Sequence, residues 1–268
     1  MTPDPGALLD LAVDVAHEAG RLVRDRRDAV DRITVSATKS TPTDVVTESD
    51  TAAEALIRRR LLSARPGDGL LGEEGATVTG GSGVAWVVDP IDGTVNYLYD
   101  IPQYAVSIAA QVDGRTVAGV VHNPASGQTW AATRGRGARL DGRLVRESGC
   151  DRLDRALVAT GFGYDSARRA AQADVLRAVL PRVRDVRRLG AASLDLCGVA
   201  TGWFDAYYER GLAPWDLAAG ALVAEEAGVL VEGLGGAAPG PEIVIAAGPA
   251  LFPALHDLLA SLGASRDG

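Results

Sequence analysis

The chain has 268 residues, with 27 basic and 35 acidic side chains and a formal charge of −8. Hydrophobic residues make up 47% and charged residues 23%, which excludes a disordered chain and leaves enough apolar surface for a substantial core. No apolar run approaches the roughly 18 to 20 residues of a membrane span, the start lacks the basic stretch of a secretory leader, and no Lys/Arg-rich stripe offers itself to a nucleic-acid backbone. These features predict a cytoplasmic protein whose main ligand is neither a membrane nor a nucleic acid.

Residues 7 to 28 place Leu8, Leu9, Ala12, Val15, Ala16, Ala19, Leu22 and Val23 at helical spacing, which predicts an amphipathic first helix. After the polar stretch SATKSTPTDVVTESD, the residues Ala53, Leu56, Ile57 and Leu61 resume that period to about Leu62, with Ser49 or Asp50 as the cap and Arg58 to Arg60 on a solvated face. RPGDG ends the helix, GEEG opens a loop, and VAWVV at 84 to 88 reads as a buried strand. YAVSIAAQV, RTVAGVVHN and QTWAAT predict an antiparallel meander whose first turn is Asp113-Gly114.

Past Gly149 the pattern becomes alternating: LVAT, a helix near 167 to 180, VRDVRRL, a helix from about 191 to 201, FDAYYE, a helix near 216 to 227, VLV, IVIAA, and a helix from about 249 to 262. GLGGAAPGP reads as a surface loop, and no repeat is visible. The expectation is a single domain over 1–268, made of two α/β halves with a soft boundary near residue 150. Cys150 and Cys197 form no CxxC pair and read as structural thiols.

The chemistry concentrates in WVVDPIDGTVNY, where an apolar strand ends in Asp89, a proline interrupts the ladder, and Ile91, Asp92, Gly93 and Thr94 turn the chain. Two carboxylates three residues apart on a tight turn repel one another unless a cation lies between them. Magnesium accepts carboxylate and carbonyl oxygens, which Asp89, Asp92 and the carbonyl of Ile91 supply. Alone, the segment also reads as a DPxDG surface turn. Further acidic positions are Glu73 and Glu74 in a glycine-bounded loop, Asp216 in the first turn behind Pro214 and Trp215, and Asp44 and Asp50 before a helix. Asp216, and Asp50 or Ser49, also read as ordinary caps. The three histidines, His17, His122 and His256, are scattered and lack metal spacing.

These blocks resemble the inositol monophosphatase family of magnesium-dependent, lithium-sensitive sugar phosphatases. WVVDPIDGTVNY is similar to the first family signature and PWDLAAGALVAEEAG to the second, while KSTPTDVVT, GEE, VRRLGAASLDLC and FDAYYERG resemble the other blocks, from about Ala12 to beyond Val231. The resemblance implies an α/β (α+β) fold, a layered α-β-α-β-α sandwich often assembled as a homodimer. It also implies two or three Mg2+ ions coordinated by Glu73, Asp89, the Ile91 carbonyl, Asp92 and Asp216. Glu73 and Thr94 would orient the attacking water, with Asp44 helping on a more weakly held ion. Gly93 and Thr94 would present amides to the phosphate, where Asp92 and Asp216 also face substrate. Gly190, Ala191, Ala192 and Glu209 would line the polyol pocket. The family block often carries a hydroxyl where this chain has Ala191. Lys39, the sole lysine among 27 basic residues, stands in the same polar segment as Asp44.

A phosphate dianion approaching a chain of charge −8 needs local cations, and the signature blocks hold no arginine fork, so the metals are expected to supply the charge. Monoester hydrolysis demands enhancements up to ~10²¹. No Ser, Cys or His sits in an activating context, so direct attack by water without a phosphoenzyme is expected. TGFGYDS resembles bacterial inositol monophosphatases, which places inositol monophosphate first. Histidinol phosphate, fructose 1,6-bisphosphate and a phosphoadenosine nucleotide are the alternatives within the class, and a transcription-associated regulatory module retaining the fold is the alternative outside it.

Overall fold

A computed structural model describes residues 3–265. Helix α1 (Pro5–Asp28) begins where Asp4 accepts hydrogen bonds from the Gly6 and Ala7 amides at 3.1 and 3.3 Å, and Pro5 takes the first-turn position where no amide is lost. A hairpin of β1 (Val35–Thr38) and β2 (Val45–Thr47) follows, within the stretch read as merely polar. Every residue of β1 is exposed, so no apolar alternation marks it. Helix α2 (Glu48–Ala64) starts earlier than its apolar period shows, and its cap is Thr47 rather than Ser49 or Asp50. Asp50 lies inside the first turn and accepts from the Thr47 amide at 2.8 Å and from the Thr47 hydroxyl, closing a capping box.

Strands β3 (Gly69–Gly72) and β4 (Thr77–Val78) flank the acidic loop, and β5 (Val84–Asp92) leads through the five-residue helix α3 (Thr94–Leu98) into the meander. The meander comprises β6 (Ala105–Val112), β7 (Arg115–His122), β8 (Thr129–Thr133), β9 (Ala138–Leu140) and β10 (Arg143–Leu144). Together they form an eight-stranded sheet in the order β10-β9-β8-β7-β6-β5-β3-β4, antiparallel throughout except for β3 beside β5.

The second half runs β11 (Leu157–Thr160), α4 (Ser166–Val179), β12 (Asp185–Arg187), α5 (Ala192–Ala200), β13 (Ala206–Glu209), α6 (Pro214–Glu226), β14 (Leu230–Glu232), β15 (Val244–Ala247) and α7 (Phe252–Ser261). Its sheet has the order β12-β11-β13-β15-β14, parallel from β12 to β13 and antiparallel beyond.

Strand periodicity explains the layering. Trp86, Val88, Val106 and Ile108 point to one face of the large sheet and pack against Leu8, Val15 and Ala19 of α1 and Ile57 and Leu61 of α2. Their neighbours Val87, Ala105 and Ala109 point the other way and meet α5 and α6, which also take Ala159, Tyr207 and Ala246 from the small sheet. The outer face of that sheet, including Val158, Tyr208 and Ile245, is covered by Val179 of α4 and Leu255 and Leu259 of α7. The α-β-α-β-α order is therefore present. The central helices are buried on both sides, and every residue of α5 is buried. Among the described residues no helix is long and apolar enough to cross a membrane.

At the end of β7, His122 Nδ1 and His17 Nε2 of α1 share the Thr129 hydroxyl at 3.0 Å each. Burial, reinforced by His17, lowers the His122 pKa to about 4. The folded state thus holds His122 neutral where the unfolded chain, titrating near 6.5, already binds a proton. This contribution to stability is complete above about pH 6.5 and is lost as the pH falls toward 4. Urea unfolding from pH 7.5 to 4.5 should show His122→Gln losing less stability with acid than the parent chain.

Candidate metal centre and substrate cavity

Two distant segments build the acidic cluster. At the end of β5, the ladder pairs Asp89 with Ser107 and then Asp92 with Ala105, so three steps on β5 oppose two on β6. Pro90 has no amide to contribute to that ladder, and the resulting bulge turns both carboxylates into the same space. Asp216 arrives on the first turn of α6, behind Pro214, and its carboxylate accepts the Ala213 amide at 2.7 Å. One oxygen from each of Asp89, Asp92 and Asp216 lies within 4.8 Å of the others.

The electrostatics are those of a site built for a cation. Asp89 is 1% exposed and Asp92 is 7% exposed. Burial pushes the Asp89 carboxyl well above its ordinary range, and Glu73, Asp92 and Asp216 push it further. Burial raises Asp92 to about 6 despite three hydrogen bonds from α5. Asp216 is raised by burial and then by Asp92, and Glu73 by burial against the pull of Lys39. A hard divalent ion relieves both burdens, since all the donors are oxygens and the charges no longer oppose one another. Asp89, Asp92 and Asp216 would hold it, with Glu73 alongside.

Around this cluster the loops are tied down by α2. Glu54 reaches across to accept the Glu74 and Ala76 amides at 2.8 and 3.1 Å, fixing the loop that carries Glu73. Lys39 Nζ lies 2.7 Å from both Glu73 Oε1 and Glu74 Oε1. Burial works against its charge, but the two carboxylates outweigh that and raise its pKa. The Thr94 hydroxyl is 3.1 Å from Asp50 Oδ1 and 3.0 Å from the Ile91 carbonyl oxygen. Asp50, raised by burial to about 6, is thus both a helix cap and the partner of Thr94. Asp44 stands apart from the cluster of three and accepts the Ser40 amide at 3.1 Å and the Ser40 hydroxyl at 2.6 Å.

Lys39, Asp44, Glu73, Asp89, Ile91, Asp92, Gly93, Thr94, Gly190, Ala192, Glu209 and Asp216 all line one cavity of about 470 Å³, within the ordinary range for small-ligand sites. Gly93 takes the left-handed conformation, φ 89°, and a Cβ there would stand 2.9 Å from the Gln103 carbonyl oxygen. Glu209, at the end of β13, is raised by burial to about 7 and accepts the Tyr207 hydroxyl at 2.6 Å.

One expectation needs correction. Ala191 does not line the cavity: it is the residue before α5, 1% exposed, and its methyl packs into the core behind Gly93. Two residues later, Ser193 donates to Asp92 from Oγ at 2.5 Å and from its amide at 2.7 Å.

Sequence reasoning also missed the roles of Glu54, Asp50 and Arg188. Asp50 and Glu54 sit at i and i+4 in the same helical stripe as Ile57 and Leu61, and a carboxylate in an apolar stripe was the available signal. Arg188, which stands within VRRLGAASLDLC, also lines the cavity.

Residues 4–263 match the inositol monophosphatase family. The chain is 48% identical to an inositol-1-monophosphatase of Mycobacterium leprae, over 94% of this chain and 93% of the relative. It is 42% identical to a Nus factor SuhB of Pseudomonas aeruginosa, over 84% of each. The solved structure of Mycobacterium tuberculosis SuhB superposes with a TM-score of 0.84 at 46% identity, covering 98% of this chain and 99% of that one. The chain belongs to the inositol monophosphatase family, a family of phosphoric monoester hydrolases.

Proposed function

We propose that the protein is a magnesium-dependent phosphatase of small phosphate monoesters, with inositol monophosphate as the favoured substrate. The observation that carries this reading is the convergence of Asp89, Asp92 and Asp216, with their oxygens within 4.8 Å of one another, beside Glu73 in one cavity. When bound there, magnesium supplies the positive charge that offsets the phosphoryl dianion and favours deprotonation of water near neutral pH.

The chain's own groups divide the remaining work. Glu73 and the Thr94 hydroxyl orient the water, Thr94 being held for that task by Asp50 and the Ile91 carbonyl. Asp44 at the cavity edge assists a further, weaker ion. The amides of Gly93 and Thr94 face the phosphate, and Glu209 accepts from polyol hydroxyls while Gly190 and Ala192 shape the wall. Water oxygen bonds to phosphorus as the ester P–O bond breaks, and the leaving oxygen takes a proton. No Cys or His is among the residues lining the cavity, which supports direct hydrolysis without a phosphoenzyme. The name of the Pseudomonas relative motivates a second reading, a part in transcription, in which this protein acts through its surface. An intact oxygen cluster favours the enzyme.

Asp92→Asn should lower phosphate release from inositol 1-phosphate by about 10²-fold or more, in line with loss of a transition-state charge partner, while its melting temperature stays near the parent's. Thr94→Ala should cost about 10²-fold to 10⁴-fold in turnover yet preserve the shift in melting temperature that magnesium produces. An equal loss of that shift would assign Thr94 to metal binding instead.

Raised folded-state pKa values in Asp50, Asp92 and Glu209 mean that, without metal, folding favours their protonated forms. Stability from these groups is full below about pH 4 and is lost as the pH rises to about 6 or 7. Magnesium relieves Asp92 and its neighbours, so the rise in melting temperature on replacing EDTA by magnesium should be larger at pH 8 than at pH 5. A shift that shrinks with rising pH would contradict the ligand set.

A further inference from the structure

A second cavity, of about 640 Å³, shares a wall with the substrate cavity. Gly211, Leu212 and Ala213 line both. Beyond them the chain alternates: Pro214 faces the second cavity, Trp215 and Asp216 the first, and Leu217 and Ala218 the second again. The start of α6 is thus a partition. Its Gly211 amide donates to the Pro241 carbonyl at 2.8 Å, and its Ala213 amide donates to the Asp216 carboxylate at 2.7 Å. A molecule in the second cavity bears on the segment that holds a metal-facing carboxylate.

The lining defines the chemistry that fits. Leu212, Pro214, Leu217 and Leu222 make the walls apolar, and the volume is that of an ordinary small-molecule site. Ala218 and Ala221, at i and i+3 on α6, present only methyls, which leaves a face against which a flat ring packs. The polar groups stand together. Arg134 Nε donates to the Thr116 carbonyl at 2.7 Å, Arg134 Nη2 to Glu225 at 2.9 Å, and Gln111 to the Thr116 hydroxyl at 3.3 Å.

Arg134 and Glu225 neutralise one another, so a charged ligand attracted by one is repelled by the other. Among the described residues, Arg134 Nη1 and Glu225 Oε1 have no partner, which sets a free donor on the residue beside a free acceptor. An uncharged carboxamide carries the matching acceptor and donor.

We propose that this cavity is an effector site for a small aromatic carboxamide, and that its occupant tightens magnesium binding through the partition carrying Asp216. An occupied cavity restrains residues 211–214, so Asp216 loses less freedom when it takes the ion. The coupling is reciprocal. Its magnesium half rests on the phosphatase reading above.

Benzamide, benzoate and benzamidine share one ring and a planar end group and differ in charge. With the full-length protein, ligand-observed NMR should give benzamide a Kd on the order of 1 mM. Benzoate and benzamidine should bind at least about fivefold more weakly, the scale of a partly exposed charge contact. Calorimetry should show magnesium binding about fivefold tighter in saturating benzamide. Glu225→Gln keeps an acceptor but leaves Arg134 unopposed, so benzoate should then bind best of the three. Ala218→Phe fills the slot and should abolish benzamide binding while phosphate release from inositol 1-phosphate persists.

No benzamide binding, equal binding of the three probes, or an unchanged ranking in Glu225→Gln overturns the ligand class. Magnesium affinity that benzamide leaves unchanged or weakens overturns the coupling. Benzamide affinity that falls as protein concentration rises overturns the effector site and assigns the cavity to an interface between two copies of the chain. Failure of magnesium to bind without any probe defeats the phosphatase reading, while the NMR ranking judges the carboxamide site separately.

Discussion

Three carboxylates from two remote stretches of chain are held together against their own repulsion, and much of the surrounding structure serves that one arrangement. Each pays twice, once for leaving water and again for its neighbours' charge, as the raised pKa values of Asp89, Asp92 and Asp216 record. A cluster of this kind survives in a folded core only if rigid elements leave the side chains no escape. The bulge at Pro90 fixes Asp89 and Asp92, and the Ala213 amide fixes Asp216 at the start of α6. Asp92 is further clamped by the first turn of α5, which is itself buried between the two sheets. The core therefore does more than stabilise. By trapping α5 and α6 between sheets, it sets the distance between the two acidic segments.

The periphery of the site follows a different logic, in which single polar residues from α2 anchor loops that have little apolar surface of their own. Glu54 takes two amides of the Glu73 loop, and Asp50 takes Thr94. Both carboxylates are buried, and both belong to a helix whose remaining inward face is packed against the large sheet. A helix of good packing thus serves as the rigid support from which otherwise weak loops are positioned. Lys39 acts across the same loop, its ammonium bridging Glu73 and Glu74. One compact cation with rotatable donors suits two carboxylates on different residues better than a planar fork does.

What was legible in the sequence divides along the same line. The long helices and the meander were readable, because α1 shows a 3.6-residue apolar stripe and Asp113-Gly114 provides two residues able to take positive φ, 50° and 77°. The hairpin of β1 and β2 was not, since an exposed strand carries no alternation. The acidic site residues were readable because carboxylates after an apolar strand or beside glycines are out of place in a core. Asp50 and Glu54 were harder, because a cap position and a solvated helix face explain them equally well until tertiary structure buries them. Ala191 failed for a geometric reason: adjacency to Gly190 does not put a side chain on the same surface, and the residue before α5 turns its methyl inward.

Arg188 exposes a weakness in reasoning from net charge. A total of −8 is spread over the whole surface, and at physiological ionic strength exposed charges farther than about 8 Å away are largely screened. An anion inside the cavity responds instead to the groups that line it. There the acidic floor and the arginines lie in one recess, so attraction depends on which end of a ligand meets which wall. The floor becomes attractive to phosphate only with divalent ions bound, whereas Arg188 is attractive at all times. The field an anion meets in the recess therefore depends on whether the acidic cluster holds cations, without any change in the fold.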